Sequence, residues 1–235
     1  MNMDIDSKES RQRLAQAMGA ISGACHIEEY EQIISLLEKH MIPERYPAIA
    51  NTLLSGRELD WDATAYRNTI IQKCGYALIA YEWIRPLAQW IGNRRCLEIM
   101  AGSGALSFAL SQCGVDIVAT DDKSWTDPRC NWFPAPWSDV VQMDCLQAIQ
   151  KYGKERAIII CSWPYMDDSA YRSLLEMRRV NPDAVMLYIG ENWGGATAND
   201  DFFENLSLVE DDDFSAAVQN FKQMPGLHDF PMLVK

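Results

Sequence analysis

Residues 96–114, CLEIMAGSGALSFALSQCG, decide the fold. An apolar run, Cys96–Met100, passes through Ala101-Gly102-Ser103-Gly104 into an amphipathic segment, Ala105–Cys113, that stops at Gly114. This predicts a strand, a tight turn and a helix. Small side chains in such a turn let the backbone approach a ligand closely, and amides at the start of the helix favour a negative or strongly polar group. Glu98 sits inside the apolar run, just ahead of the turn. An acid there needs a polar partner, and a carboxylate prefers a cation, such as the ammonium of an amino acid, to a pyrophosphate. The pattern E-x-x-A-G-x-G also differs from the dinucleotide fingerprint G-x-G-x-x-G.

Beyond Gly114 the same grammar repeats. Apolar runs at Asp116–Thr120, Ala157–Cys161, Ala184–Ile189, Leu206–Glu210 and Phe230–Val234 are separated by helical patterns at Cys145–Tyr152, Ala170–Val180 and Phe214–Gln223. Strand and helix alternating in this way predict an α/β fold, a mostly parallel sheet with helices on both faces. Ligands of such sheets bind beyond the carboxyl ends of the strands.

Toward the amino terminus the pattern is helical. Helices are expected from Ser7 or Ser10 to Ile21, over Ile27–Met41, and from Pro47 to Gly56. A longer one is expected after the Asp60–Asp62 turn, carrying Ile70, Ile71, Cys74, Leu78 and Ile79, bending at Pro86 and ending at Gly92. Residues 1–91 are thus read as a helical extension, and residues 92–235 as the α/β domain. The extension is expected to cap the open edge of the ligand site, with Tyr66, Arg67 and Tyr76 as its polar residues nearest the first strand. A homodimerisation module is the alternative.

The 235 residues carry 21 Lys+Arg against 33 Asp+Glu, a formal charge of −12, and 48% are hydrophobic. The composition is that of a globular protein. Without a basic run, this charge argues against gripping long nucleic acid, which depends on neutralising phosphates. Nine of the acids, Asp183, Glu191, Asp200, Asp201, Glu204, Glu210, Asp211, Asp212 and Asp213, fall between Val180 and Phe221 with no Lys or Arg among them. They read as a solvated face, or as a surface for a cationic substrate or basic partner. The seven cysteines lack any C-x-x-C pair, so no metal cluster or disulfide framework is read. Buried thiols, no secretory signal and no apolar stretch long enough for a bilayer make a cytoplasmic protein without a membrane role the expectation.

Four strings, in order, resemble the class I S-adenosylmethionine-dependent methyltransferases, and the likeness runs from about Ile70 to the carboxyl end. Glu98-x-x-Ala101-Gly102-Ser103-Gly104 resembles the family's first motif, with Met100 where glycine is commonest. Asp121 resembles the ribose-binding acid that ends the second strand, with Asp122 as its competitor. Asp144-Cys145 resembles the pair that contacts adenine, although Asp144 reads almost equally well as the N-cap of the helix that follows. Ser162-Trp163-Pro164-Tyr165 occupies the place where amino-methyltransferases carry N-P-P-Y or D-P-P-Y. Here Ser162 replaces the Asn or Asp that accepts hydrogen bonds from the target amine, and Trp163 replaces a proline.

The resemblance implies a Rossmann-like sheet with a late antiparallel strand, for which the runs Leu206–Glu210 and Phe230–Val234 stand as the family's antiparallel hairpin. It also implies S-adenosylmethionine as methyl donor and a small-molecule or amine-bearing acceptor contacted by Ser162, Trp163, Tyr165 and Glu191. Glu191 lies in a loop with Gly190, Gly194 and Gly195, whose freedom suggests a close approach to a ligand. Trp125–Trp137, with three Trp and three Pro, reads as a lid or one wall of the acceptor pocket, or equally as a loop pinned to the sheet by its own rings. Two rival functions remain: an S-adenosylmethionine-binding sensor or scaffold without transferase activity, permitted by the altered fourth motif, and a nicotinamide-dependent reductase, favoured by the glycine turn alone.

Overall fold

The computed structural model describes residues 27–46, 61–126, 135–224 and 226–235. The helices expected over 7–21 and 47–56, and most of the Trp125–Trp137 loop, lie outside them.

Among the described residues, helices α1 (Ile27–Glu38), α2 (Trp61–Cys74) and α3 (Tyr81–Ile91) precede the sheet. The single long helix expected across the last two is broken, and the break is at Gly75 rather than Pro86. Gly75 takes φ +106°, a left-handed conformation that ends α2, with its amide on the carbonyl of Ile71 at 2.9 Å. Ala80 is extended, and the first amides of α3 are held by the carbonyls of Pro43 and Glu44. Pro86 stays inside α3. Its missing N–H would orphan the carbonyl of Glu82, which accepts from the Asn220 side chain instead, at 3.4 Å.

The sheet follows as β1 (Cys96–Ile99), α4 (Ala105–Gln112), β2 (Ile117–Asp121), β3 (Val140–Gln142), α5 (Cys145–Tyr152), β4 (Ile158–Ser162), α6 (Ser169–Val180), β5 (Val185–Gly190), α7 (Asp200–Asn205), α8 (Asp212–Ala217) and β6 (Phe230–Val234). Its strand order is β3-β2-β1-β4-β5-β6. Neighbours are parallel except β5 and β6, which run antiparallel with Leu187 opposite Leu233. This is the expected Rossmann-like sheet with a late antiparallel strand.

The central strands are buried on both faces, which is why they read as unbroken apolar runs. Ile158, Ile160, Leu187 and Ile189 share one core with Leu37, Ile70, Ile84, Leu87, Leu106 and Leu110. Their neighbours in sequence, Ile159, Cys161, Met186 and Tyr188, point the other way, to Ile149, Leu174, Met177 and Phe202.

Three elements differ from expectation. Leu206–Glu210 is no strand but a single antiparallel bridge, Leu208 to Val234. Phe214–Gln223 is replaced by the shorter α8, which begins earlier because Asp211 caps it through the Phe214 amide at 2.7 Å. The edge strand β3 was not foreseen; three residues are too few for a visible run. Much of the acidic stretch has a structural role: Asp200 and Asp201 begin α7, and Asp212 and Asp213 begin α8, where the helix dipole favours negative charge. No described helix is long and apolar enough to cross a membrane.

Candidate ligand cavity at the carboxyl edge of the sheet

A cavity of about 470 Å³ opens beyond the carboxyl ends of β1 to β4. It is centred where the strand order reverses, between β1 and β4, which is where open α/β sheets hold ligands. The turn after β1 supplies Glu98, Met100, Ala101, Gly102 and Ser103 to its wall. The end of β2 supplies Asp121 and Asp122, the end of β3 Asp144 and Cys145, and the end of β4 Ser162, Trp163 and Tyr165. Gly75, Tyr76 and Ala77 close it from outside the sheet, so the break after α2 is what delivers the helical segment to the site. Ten of the twelve residues singled out from sequence therefore meet at one cavity; Gly104 and Glu191 do not line it.

The glycine turn differs from its expected chemistry. Three of its amides are already taken: Ala101 donates to the Thr120 carbonyl at 3.0 Å, Gly102 to Asp121 Oδ2 at 2.8 Å and Gly104 to the Ala101 carbonyl at 2.8 Å. The start of α4 is occupied as well. Glu98 is buried, and its Oε2 accepts from the Ser107 amide at 3.1 Å and from the Ser107 hydroxyl. The protein's own carboxylate fills the place where a helix start would take an anion. Burial pushes the Glu98 carboxyl up to about 7, with Asp121 adding to the rise and Ser107 opposing it.

Met100, at φ +53°, adopts the conformation that makes glycine common there. Gly104 has a packing role in place of the expected ligand contact. At φ +73°, a Cβ on it would lie 2.2 Å from Ser138 Oγ and 2.7 Å from Val140 Cγ2, so its bareness admits the chain entering β3. Trp137 anchors that chain, its amide on the Ser103 carbonyl at 2.8 Å and its indole N–H on the Lys73 carbonyl at 2.7 Å. At this end the loop is pinned by its own ring.

Asp121 is spent inside the protein. Besides the Gly102 amide it accepts the Lys123 amide at 2.6 Å and the Trp125 indole N–H at 2.8 Å, both on Oδ1. Burial raises its pKa while these three donors oppose the rise. Asp122 is exposed, and one oxygen takes the Ser124 amide at 2.8 Å. Asp144 is both cap and wall: Oδ1 accepts from Leu146 and Gln147 at the start of α5, at 2.9 and 3.3 Å, while the residue lines the cavity. With Asp167, five carboxyl residues line the cavity, and no described Lys, Arg or His does.

On the β4 side, Trp163 stacks on Tyr76 with ring centroids 4.6 Å apart and planes 21° apart. Its indole N–H donates to Asp229 Oδ2 at 2.8 Å. Tyr165 is 59% exposed at the rim. Glu191 is withdrawn from the wall because backbone amides take both its oxygens: His228 at 2.9 Å and Ala196 at 2.7 Å. The glycines around it serve the same self-packing loop. A Cβ on Gly190 would lie 2.6 Å from Tyr188 Oη, and one on Gly195 would lie 2.4 Å from Glu191 Cβ. Asp229 was missed by sequence reasoning; its only signal is an acid placed directly before an apolar strand.

No family model matches the chain, and no curated protein matches it. Among solved structures the chain is similar to a TehB-like SAM-dependent methyltransferase from Corynebacterium glutamicum, at 16% identity over 74% of this chain and 95% of that one, with a TM-score of 0.45. It is also similar to the magnesium protoporphyrin IX methyltransferase ChlM from Synechocystis, at 8% identity over 77% and 86% of the two chains and a TM-score of 0.40. A third is human N-acetylserotonin methyltransferase, at 13% identity over 98% and 71% and a TM-score of 0.40. Likeness at this identity is likeness of fold alone; the chemistry of the cavity rests on its own residues.

Proposed function

We propose that this protein is an S-adenosylmethionine-dependent methyltransferase acting on a small, amine-bearing or otherwise uncharged or cationic acceptor. One observation carries the reading: the cavity wall holds Glu98, Asp121, Asp122, Asp144 and Asp167 and no described basic side chain, and Glu98 already fills the anion position at the start of α4. A pyrophosphate would meet uncompensated repulsion there, whereas a ligand with an ammonium and a sulfonium would be attracted. This argues against the nicotinamide reading. S-adenosylmethionine supplies a methyl group on a sulfonium, which leaves as a neutral thioether.

The chain's part is to bind, orient and exclude water. Glu98 and the turn at Ala101–Ser103 would face the amino-acid end of the donor. Asp122, rather than Asp121 with its three internal donors, would take the ribose hydroxyls. The second oxygen of Asp144, free of the cap bonds, would take the adenine amine beside Cys145. Ser162 Oγ, at the end of β4, can accept a hydrogen bond from an acceptor amine and so aim its lone pair at the methyl carbon. Trp163, Tyr76 and Tyr165 would flank a flat or cationic acceptor.

Calorimetric titration of the protein with S-adenosylmethionine, S-adenosylhomocysteine and NADP+ tests the reading. Binding of the first two and not the third is expected; binding of NADP+ alone, or of none, overturns it. Binding without methyl transfer to any of a panel of small amines would instead favour a sensor or scaffold.

A further inference from the structure

Asp229 lies one residue before β6, is 1% exposed, and has its Oδ1 buried with no hydrogen-bond partner. Burying a carboxylate with one oxygen unserved is unfavourable. Burial pushes its pKa up to about 7, opposed by the Trp163 N–H and by its own backbone N–H and reinforced by Glu191. Glu191, on the loop after β5, and Tyr188, on β5, are the ionisable groups that face it. The Glu191 carboxylate is itself held by the His228 and Ala196 amides, and the Gln223 side chain binds the Asp229 carbonyl at 2.8 Å. A residue so placed destabilises the fold unless its one strong contact matters.

That contact is with Trp163, a residue that needs holding. Its φ of +52° is a left-handed conformation that costs a non-glycine residue of order 1 kcal/mol or more. Three contacts secure it: its amide on the Ile189 carbonyl at 2.7 Å, its indole N–H on Asp229, and its ring face on Tyr76. Trp163 and Tyr76 come from separate parts of the chain, one from the end of β4 and the other from the segment after α2, and both line the cavity.

We propose that Asp229 is a positioning residue of the cavity: by accepting the Trp163 indole N–H from behind the wall, it fixes that ring against Tyr76 and sets the shape of the aromatic side beside Ser162. Asp229 touches no ligand itself, and the inference stands whatever the cavity binds.

The test labels the full chain with 5-fluorotryptophan and follows the Trp163 resonance, assigned by its loss in Trp163→Phe. In the wild type the Trp163 line is expected to be sharp and to move as pH passes through about 7, following Asp229. Asp229→Asn, which keeps an acceptor oxygen, should hold a sharp line near the low-pH position and abolish the movement. Asp229→Ala should displace or broaden the line by more than the whole wild-type pH shift. An Asp229→Ala line that coincides with wild type across the pH range, in protein that still melts cooperatively, overturns the proposal. Should that variant fail to fold, a wild-type line unmoved between pH 5 and 8 and identical to that of Asp229→Asn overturns it equally. Affinity for S-adenosylhomocysteine should stay within twofold in Asp229→Asn; loss of that binding in the wild type as well would count against the proposed function and leave this inference intact.

Discussion

The carboxyl edge of the sheet is built in two ways. On the side of β1, β2 and β3, carboxylates stand on the cavity wall and hold backbone there: Glu98 takes the Ser107 amide, Asp121 the amides of Gly102 and Lys123, and Asp144 caps α5. On the side of β4, the rings of Trp163 and Tyr165 stand in the wall with Asp167 as its one carboxylate, and the carboxylates Glu191 and Asp229 stand behind it, one bonded to loop amides and the other to a ring. Glu98 and Glu191 look alike in sequence, since each interrupts or follows an apolar strand. What separates them is that the chain's own amides engage both oxygens of Glu191, whereas Ser107 engages only Oε2 of Glu98.

The largest effect should come from Gly104→Ala. The new Cβ would collide with Ser138 and Val140 on a backbone at φ +73°, and a loss of about 3 kcal/mol or more in denaturant unfolding is expected. Gly190→Ala, on the other side, meets Tyr188 Oη and Thr197 Oγ1 without a left-handed backbone, and should lose about 1–2 kcal/mol. Equal losses would erase the distinction between a turn that admits a strand and a loop that can give way.

A smaller effect separates the two neighbouring acids at the end of β2. Asp121→Ala leaves three donors without an acceptor and should lower stability by about 2–3 kcal/mol. Asp122→Ala should change stability by less than about 0.5 kcal/mol while weakening S-adenosylhomocysteine binding about tenfold, worth about 1.4 kcal/mol. A reversed pattern in paired melting and titration experiments would return the ribose role to Asp121.

The smallest effect is a pH profile. With its carboxyl near 7, Glu98 is neutral below that pH and charged above it, so attraction for a cationic ligand is lost as pH falls. Calorimetry from pH 5.5 to 8.5 should show S-adenosylmethionine affinity falling by about fivefold in all as pH drops through 7 and levelling above 8. In Glu98→Gln the curve should be flat and lie at the weak end. A steep curve in that variant would mean another group sets the charge of the cavity.

Much of this was legible from sequence where the signal is local. The runs at β1, β4 and β5 stood out because two-sided burial leaves no polar alternation, β2 and β6 stood out as short apolar runs, and the turn at Ala101–Gly104 was marked by its small residues. Ser162, Trp163 and Asp144 could be placed at strand ends, and so at one edge, from order alone. What was not legible is set by partners distant in sequence. The break at Gly75 depends on Pro43 and Glu44 receiving the first amides of α3. The withdrawal of Glu191 depends on His228, thirty-seven residues away, and Trp163 is held by Asp229, sixty-six away.

By itself, then, the sequence determined the alternation of strand and helix, the glycine turn with an acid ahead of it, and the negative character of the chain, because each follows from residue type and short-range spacing. Only the tertiary structure decided which acids face the cavity and which are consumed, since a carboxylate's role depends on the donors folded around it. Glu98, Asp121, Asp122, Asp144 and Asp167 all reach the wall, Asp121 with three of the chain's own donors already on it, while Glu191 and Asp229 serve the wall from behind.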